Sequence, residues 1–130
     1  MPEPTRFIKL IIETGPDQRS RFREETIDLD GGTPELQLSE TTAVTGLQFR
    51  QSPIGYRTDY HCAPRPQWMF VLSGELAIGL RDGTNAVLRA GDHLYSSDVL
   101  PEGADFDPAV HGHNSWQVGD QPVVTAFVAD

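Results

Sequence analysis

Short apolar runs follow one another along the chain, and each is interrupted by glycine, proline or a polar turn. The densest run covers residues 7–12, and a second covers residues 22–29 after a Thr-Gly-Pro-Asp turn. No stretch of twelve or more residues keeps apolar side chains at helical spacing without a glycine or proline inside it. The pattern therefore predicts β-strands and no helix, with further strands over 36–38, 47–51, 58–63, 67–72, 75–80, 86–88, 93–96, 115–118 and 123–128.

The predicted strands are short, closely spaced and joined by turn signals. Asp82-Gly83 is the strongest hairpin signal, because this pair readily adopts the positive φ angles of a primed turn. Many short strands without a helix are typical of a β-sandwich or a closed β-barrel. A chain of 130 residues is long enough for one such domain and too short for two.

Charge and composition exclude several classes of partner. Ten basic and nineteen acidic side chains give a formal net charge of −9, and an acidic chain repels phosphate backbones, so we expect no nucleic-acid partner. No apolar run approaches the roughly 18 residues that a spanning helix needs, so we expect no membrane partner. A single cysteine and the lack of a signal-like segment predict a cytoplasmic protein.

Four histidines are the first candidates for chemistry. His61 lies in a predicted strand, whereas His111 and His113 lie where a long irregular stretch re-enters a strand. In a small barrel, His61 and His113 could meet Gln67 at one point. We expect His93, which follows a Gly-Asp turn, to have a structural role.

The spacing around His61 resembles a known family motif. Gly55, His61, Ala63, Gln67 and Gly74 follow one another at the spacing of the first motif of the cupin superfamily. In that motif two histidines and a glutamate precede a closing glycine. This chain keeps both glycines and the first histidine, but it has Ala63 in place of the second histidine and Gln67 in place of the glutamate.

A second segment resembles the later cupin motif. Arg89-Ala90-Gly91-Asp92 is similar to the Pro-x-Gly-Asp turn of that family, and His113 is similar to its final metal-ligand histidine. Family spacing would place that histidine at position 102, so the chain carries an eleven-residue insertion in the acidic stretch 97–112.

The likeness to small single-domain bacterial cupins implies a fold and an assembly. It implies one all-β domain over 1–130, a double-stranded β-helix or jelly roll, with N-terminal strands over 1–50 and the barrel core over 55–128. It also implies a homodimer that holds a small-molecule ligand in the mouth of the barrel.

The leading functional hypothesis is chemistry assisted by a divalent metal. Imidazole nitrogens and a side-chain oxygen can hold Fe, Ni, Zn or Mn, so His61, Gln67 and His113 form the predicted metal site. Such an ion would support isomerase, lyase or oxygenase chemistry on a small hydroxy or carbonyl compound. Gln67 and Ala63 weaken the site relative to the family motif, and His111 could compensate. The alternative is that the histidines are hydrogen-bonded pocket residues without an ion.

Two further hypotheses need no metal. In the first, His61 and His113 act as acid and base on the same class of compound, with Tyr56 as a catalytic partner. In the second, the barrel binds or senses a small ligand without transforming it.

The charge of the ligand stays open at this point. Arg57 and Arg65 flank the first motif and could bind a substrate carboxylate, with Met69 and His111 as further ligand-binding residues. The acidic stretch 97–112 could instead be a lid whose carboxylates favour a cationic ligand, or a solvated insertion. These interpretations predict ligands of opposite charge.

Overall fold

All regular structure in the described part of the chain is β-strand. The computed structural model describes residues 5–130, and these residues contain eleven strands and no helix, which confirms the all-β prediction. The same range therefore offers no helix that could cross a membrane. The first four residues of the predicted domain 1–130 lie outside the described residues. The strands are β1 (Thr5–Thr14), β2 (Ser20–Leu29), β3 (Gly31–Thr33), β4 (Leu36–Leu38), β5 (Gly46–Ser52), β6 (Gln67–Ser73), β7 (Glu75–Gly79), β8 (Asn85–Arg89), β9 (His93–Ser97), β10 (Asn114–Val118) and β11 (Val123–Ala129).

The strands form two larger sheets and one small hairpin. The six-stranded sheet has the order β2-β1-β9-β6-β11-β5, and the three-stranded sheet has the order β10-β7-β8. Within these sheets only β1 and β9 pair in parallel; the other named pairs are antiparallel. Strands β3 and β4 pair only with each other in the described range. This arrangement of two sheets around one core agrees with the expected jelly roll.

The core lies between the two larger sheets and is mainly aliphatic. Met69 and Val71 of β6 and Leu94 of β9 contribute from the six-stranded sheet, and Leu76 and Ile78 of β7 contribute from the three-stranded sheet. All five are buried. Along the sequence Gln67, Met69 and Val71 alternate with Trp68, Phe70 and Leu72, which predicts that each set shares one face of a strand. In β6 the first set is buried and faces inward.

The glycines of the two motifs occupy turns that favour glycine. Gly55, Gly74 and Gly91 have φ angles of 87°, 76° and 94°, which side chains rarely adopt. At Gly74 a Cβ atom would also lie 2.3 Å from the carbonyl oxygen of Pro122. The spacing that resembles the cupin motifs therefore marks turns between strands.

Residues 58–63 do not form the predicted strand. This stretch and its N-terminal neighbour make only two isolated bridges, Arg57–Trp116 and His61–His113. The carbonyl of Asp59 accepts a hydrogen bond from the ring of His61 instead of from a neighbouring strand. Two prolines follow at once, and proline has no N–H to extend a ladder, so the pairing ends.

The acidic insertion is a loop between β9 and β10 that docks on the β1–β2 turn. The His111 ring contacts Gln18 at 2.9 Å, and Arg19 donates to the carbonyl of Ala109 at 3.3 Å. Both partners belong to the turn between the first two strands. The loop is therefore tied to one end of the six-stranded sheet.

Candidate functional site

A cavity of about 140 Å³ with both polar and apolar walls lies inside the barrel. Its walls include five residues that the sequence singled out, and it is bordered by both larger sheets. The volume suits a compact molecule of a few heavy atoms, since drug-sized ligands occupy pockets of roughly 300–1,000 Å³. The five predicted residues on its walls are Tyr56, His61, Gln67, Met69 and His113.

His61 and His113 are neighbours across an isolated antiparallel bridge. The N–H of His61 donates to the carbonyl of His113 at 2.9 Å, and the reverse hydrogen bond is 3.0 Å long. The ring centroids are 4.7 Å apart. Two imidazoles separated by more than fifty positions in the sequence therefore face the same small space.

Gly112 makes this close approach possible. Its φ angle is +84°, and a Cβ atom there would lie 2.4 Å from the carbonyl oxygen of His61. A contact under 3 Å with backbone atoms cannot be relieved without moving one of the two segments. Only glycine therefore allows the segment before β10 to lie so close to His61.

The ring of His61 is oriented by its own segment. Its Nδ1 lies 2.9 Å from the carbonyl oxygen of Asp59. A carbonyl can only accept, so Nδ1 carries the hydrogen and Nε2 of the neutral ring carries a lone pair. The ring as a whole lines the cavity.

The ring of His113 is oriented by a buried carboxylate. Its Nδ1 lies 2.5 Å from Oδ2 of Asp98, and the hydroxyl of Ser20 donates to the same oxygen at 2.7 Å. Asp98 is fully buried, and its Oδ1 has no hydrogen-bond partner among the described residues. An ionised carboxylate is acceptor-only, so Nδ1 of His113 donates and Nε2 is again the free nitrogen.

The sequence interpretation missed Asp98, which it assigned to the acidic loop. Asp98 follows β9 directly, and it continues the inward alternation of Leu94 and Ser96, both of which are buried. The signal that could have identified Asp98 is the alternation of period two, extended one step beyond the end of the predicted strand.

The remaining lining residues add hydroxyl and amide groups. Gln67 begins β6, is 8% exposed and presents an amide to the cavity. Ser96, Ser115 and Thr125 are buried and line the same space. The half-buried Tyr56 packs against the core cluster and also borders the cavity. The interior is thus able to hydrogen-bond a small polar molecule from several sides.

Three predicted ligand-binding residues lie outside this cavity. Arg57 is held over the ring of Trp116, with its guanidinium carbon 5.3 Å from the ring centroid. Arg65 lines an adjoining space nearer the surface. His111 accepts from the N–H of Asp107 through Nδ1 and contacts Gln18 through Nε2, so both ring nitrogens are used in fixing the loop.

The acidic loop does not cover the cavity either. None of residues 99–112 is among the lining residues of the interior space. Of the two interpretations of the acidic stretch, a carboxylate lid over the barrel mouth does not fit this geometry, because the loop is tied to the β1–β2 turn.

The donors at the cavity make an incomplete metal site. No group of three or more His, Cys, Asp and Glu side chains able to hold a metal occurs within residues 5–130. The methyl group of Ala63 lines the cavity, and the nearest buried carboxylate, Asp98, is bonded to Nδ1 of His113. Two imidazoles and the neutral amide of Gln67 remain, a donor set without an anionic ligand.

Two other titratable groups have roles away from the cavity. Burial lowers the pKa of His93, whose Nε2 accepts from the N–H of Leu10 at 3.0 Å, so this histidine is structural. Burial, and then the charge of Asp98, raise the pKa of the Cys62 thiol. Because the thiolate is the nucleophile, Cys62 is poorly suited to covalent catalysis.

Comparison with known proteins finds structural likenesses only. No protein-family model and no curated protein matches the chain. Among solved structures, FeII HppE in complex with substrate is 12% identical with a TM-score of 0.40, and the match covers 65% of this chain and 44% of that chain, less than half of its length. A conserved protein of unknown function from Streptococcus pyogenes is 16% identical with a TM-score of 0.43, and the match covers 71% and 70% of the two chains.

A third similar structure spans nearly the whole chain. It is a proposed ethanolamine utilization protein Q from Salmonella typhimurium LT2, which is 17% identical with a TM-score of 0.39 and is matched over 96% of both chains. Independently of these likenesses, the two facing sheets and the positive-φ glycines at 55, 74 and 91 agree with the cupin-type jelly roll implied by the motif spacing.

Proposed function

We propose that this protein is an enzyme that moves protons on a small hydroxy or carbonyl compound held in the interior cavity. The observation that carries the proposal is the buried contact between Asp98 and Nδ1 of His113. In hydrolase triads a buried carboxylate holds a histidine in the same way, so that Nε2 can serve as the base. Asp98 is therefore a positioning residue, and His113 is the proposed general base.

His61 supplies a second proton carrier on the same cavity. Its Nδ1 is occupied by the Asp59 carbonyl, so its exchangeable site is Nε2, as in His113. With ring centroids 4.7 Å apart, the two imidazoles are suitably placed for neighbouring atoms of one small molecule.

The pair suits isomerisation of a hydroxy carbonyl compound. Nε2 of His113 takes the proton from the carbon next to the carbonyl, while His61 in its imidazolium form gives a proton to the carbonyl oxygen. The enediol then loses its other hydroxyl proton to neutral His61, and His113 returns its proton to the former carbonyl carbon. Both histidines regain their starting states, and no redox partner is needed.

Exchange in D₂O tests this proposal without a known substrate. Pyruvate, hydroxypyruvate and dihydroxyacetone are incubated with the protein, and loss of the C–H signal next to the carbonyl is followed by proton NMR. We expect the wild type to accelerate exchange of at least one compound, and Asp98→Asn to slow it about 10²-fold or more. Asp105→Asn, in the exposed part of the loop, is the matched control.

Two results of the exchange experiment would reject the acid–base proposal. If no compound exchanges faster than in buffer, or if Asp98→Asn exchanges as fast as the wild type, proton transfer by this pair is rejected. Binding of one of these compounds without exchange would then favour the non-catalytic ligand-binding barrel.

A weakly held divalent metal is the second candidate. The observation that favours it is the orientation of the His61 and His113 rings. On both rings Nδ1 donates to an oxygen and Nε2 is unused, which is the usual arrangement of metal-ligating histidines. His61, His113 and Gln67 would hold Fe, Ni, Zn or Mn, and such an ion would polarise a carbonyl oxygen. Elemental analysis of protein purified without chelators tests this: stoichiometric metal that is lost in His61→Ala and His113→Ala supports the site, and no metal in the wild type rejects it.

A cytoplasmic location forms part of the same proposal. Cys62 is the single cysteine of the sequence, so the chain can form no internal disulfide, which fits a reducing compartment. Cell fractionation with an antibody to the native protein tests it, and recovery outside the cytoplasm would overturn it.

A further inference from the structure

An outer chamber of about 210 Å³ adjoins the interior cavity. The two spaces share four lining residues, so a molecule that extends from one into the other stays against the same side chains. The strand β5 and the segment before β6 form the outer wall. The shared residues are Arg50, Pro64, Gln67 and Phe127.

Two arginines line this outer chamber, and one of them is held in place by its neighbours. The guanidinium carbon of Arg50 lies 3.7 Å from the centroid of the Phe127 ring, and its Nε donates to the side chain of Gln48 at 2.7 Å. These contacts fix the planar group and use only one of its nitrogens. Arg65 lines the same chamber.

The charge around these arginines is unusual for so acidic a chain. No aspartate or glutamate lines either the cavity or the outer chamber, although the formal net charge is −9. Arg50 and Arg65 have no ion-pair partner among residues 5–130. Four other arginines of the described range have such a partner, namely Arg6, Arg21, Arg23 and Arg89, whereas Arg19, Arg57 and Arg81 have none there.

We infer that the substrate is a small organic acid whose carboxylate is bound by Arg50 and Arg65 in the outer chamber. The inference rests on the proposed function, because it places the reacting carbons beside His61 and His113. A guanidinium fork matches a carboxylate in shape and charge. The inference therefore assigns a negative charge to the ligand, a question that the sequence left open. The acidic loop, which would favour a cation, does not line either space.

Binding of matched acids and amides tests the inference without any turnover. Acetate, lactate and malonate are titrated into the ¹⁵N-labelled protein alongside acetamide, lactamide and malonamide, and amide shifts are followed by NMR. We expect at least one acid to bind, with shifts at Gln67 and Phe127, and its amide to bind at least about tenfold more weakly.

The arginines are then tested one at a time. Arg50→Gln and Arg65→Gln should each weaken binding of that acid about tenfold, and Arg50→Lys should restore part of the loss because it keeps the charge without the fork. Arg57→Gln is the matched control: Arg57 also contacts an aromatic ring and has no ion-pair partner in the described range, but it lies outside both spaces.

The outcomes separate this inference from the proposed function. If no acid binds, if an amide binds as well as its acid, or if Arg57→Gln costs as much as Arg50→Gln, the carboxylate site is overturned. If an acid binds in the arginine-dependent way and no deuterium exchange is found with any compound, the carboxylate site stands and the acid–base proposal fails.

Discussion

Asp98 has the environment that most clearly separates a site residue from a surface residue. One oxygen is shared by the His113 ring and the Ser20 hydroxyl, and the side chain is completely buried. A buried charge is costly unless it is paired, so the three groups depend on one another. The contacts of Asp98 therefore predict effects on stability as well as on activity.

Removing the carboxylate should destabilise the fold measurably. We expect Asp98→Ala to lower the free energy of unfolding by about 1–3 kcal/mol, because it leaves the buried Nδ1–H of His113 without an acceptor. Ser20→Ala should cost about 1 kcal/mol, the value of one hydrogen bond. Urea unfolding measures both, with exposed Asp105→Ala as the control. Equal stability of Asp98→Ala and Asp105→Ala would show that the buried pair contributes nothing.

His93 predicts a pH dependence of stability. Burial lowers its pKa below the ordinary value of 6.5, so the unfolded chain binds a proton at a higher pH than the folded chain does. The contribution of neutral His93 is complete above pH 6.5 and is lost as the pH falls from 6.5 through the lowered pKa. We expect His93→Gln, which keeps an acceptor for the Leu10 N–H, to show a smaller loss of melting temperature between pH 7 and pH 5 than the wild type. If the melting temperature of His93→Gln falls as much between pH 7 and pH 5 as that of the wild type, His93 is not the source of the pH dependence.

At the level of strands and turns, Gly112 lies where two segments of the site pass close to each other. The backbone of Gly112 lies against that of His61, and its positive φ angle would strain any side chain. The turn before β10 thereby brings the two histidines together.

Gly112→Ala should separate the histidine pair. Backbone strain alone costs about 1–3 kcal/mol, and the backbone clash adds to it, so we expect the free energy of unfolding to fall by more than the strain alone. We also expect loss of the nuclear Overhauser contact between His61 and His113. Gly103→Ala is the matched control, since Gly103 has a similar φ of +79° with open space around it, and it should cost only about 1 kcal/mol. If Gly112→Ala loses no more stability than Gly103→Ala and keeps the His61–His113 contact, the close approach of Gly112 to His61 is not needed to form the histidine pair.

The sequence predicts some elements well and others poorly, for physical reasons. Alternation identifies the inward face of β6, because burial of one face imposes a period of two. It fails over 58–63, where the Asp59 carbonyl bonds a side chain instead of a strand. It also gives no means of placing Arg50, whose position over Phe127 depends on the pairing of β5 with β11. Local sequence patterns do not specify which distant segments of the chain come into contact.

For the whole molecule, four exposed apolar residues lie on or near β5. Leu47 and Phe49 are 61% and 66% exposed, and Val44 and Ile54 on either side of the strand are also exposed. β5 is an edge strand of the six-stranded sheet, paired only with β11 in the described range. Exposed edges with apolar side chains favour association. We propose that a second copy of the chain covers this edge in a homodimer.

Light scattering tests the homodimer. The wild type should have twice the mass of one chain, and Phe49→Glu should shift it to the monomer by placing a charge in the interface. Phe106→Glu, which alters an exposed phenylalanine of the acidic loop, should leave the dimer intact. A monomeric wild type, or equal effects of the two variants, would remove β5 as the interface.

The tautomers of the four histidines give the most direct test of the site. Long-range ¹H–¹⁵N NMR at mildly alkaline pH, assigned with single His→Gln variants, reports which ring nitrogen carries the hydrogen. The hydrogen bonds predict Nδ1–H for His61, His93 and His113, and the opposite tautomer, Nε2–H, for His111, whose Nδ1 accepts from Asp107. Nε2–H in neutral His61 or His113 would mean that the lone pairs required for proton transfer do not face the cavity, and it would contradict the proposed site.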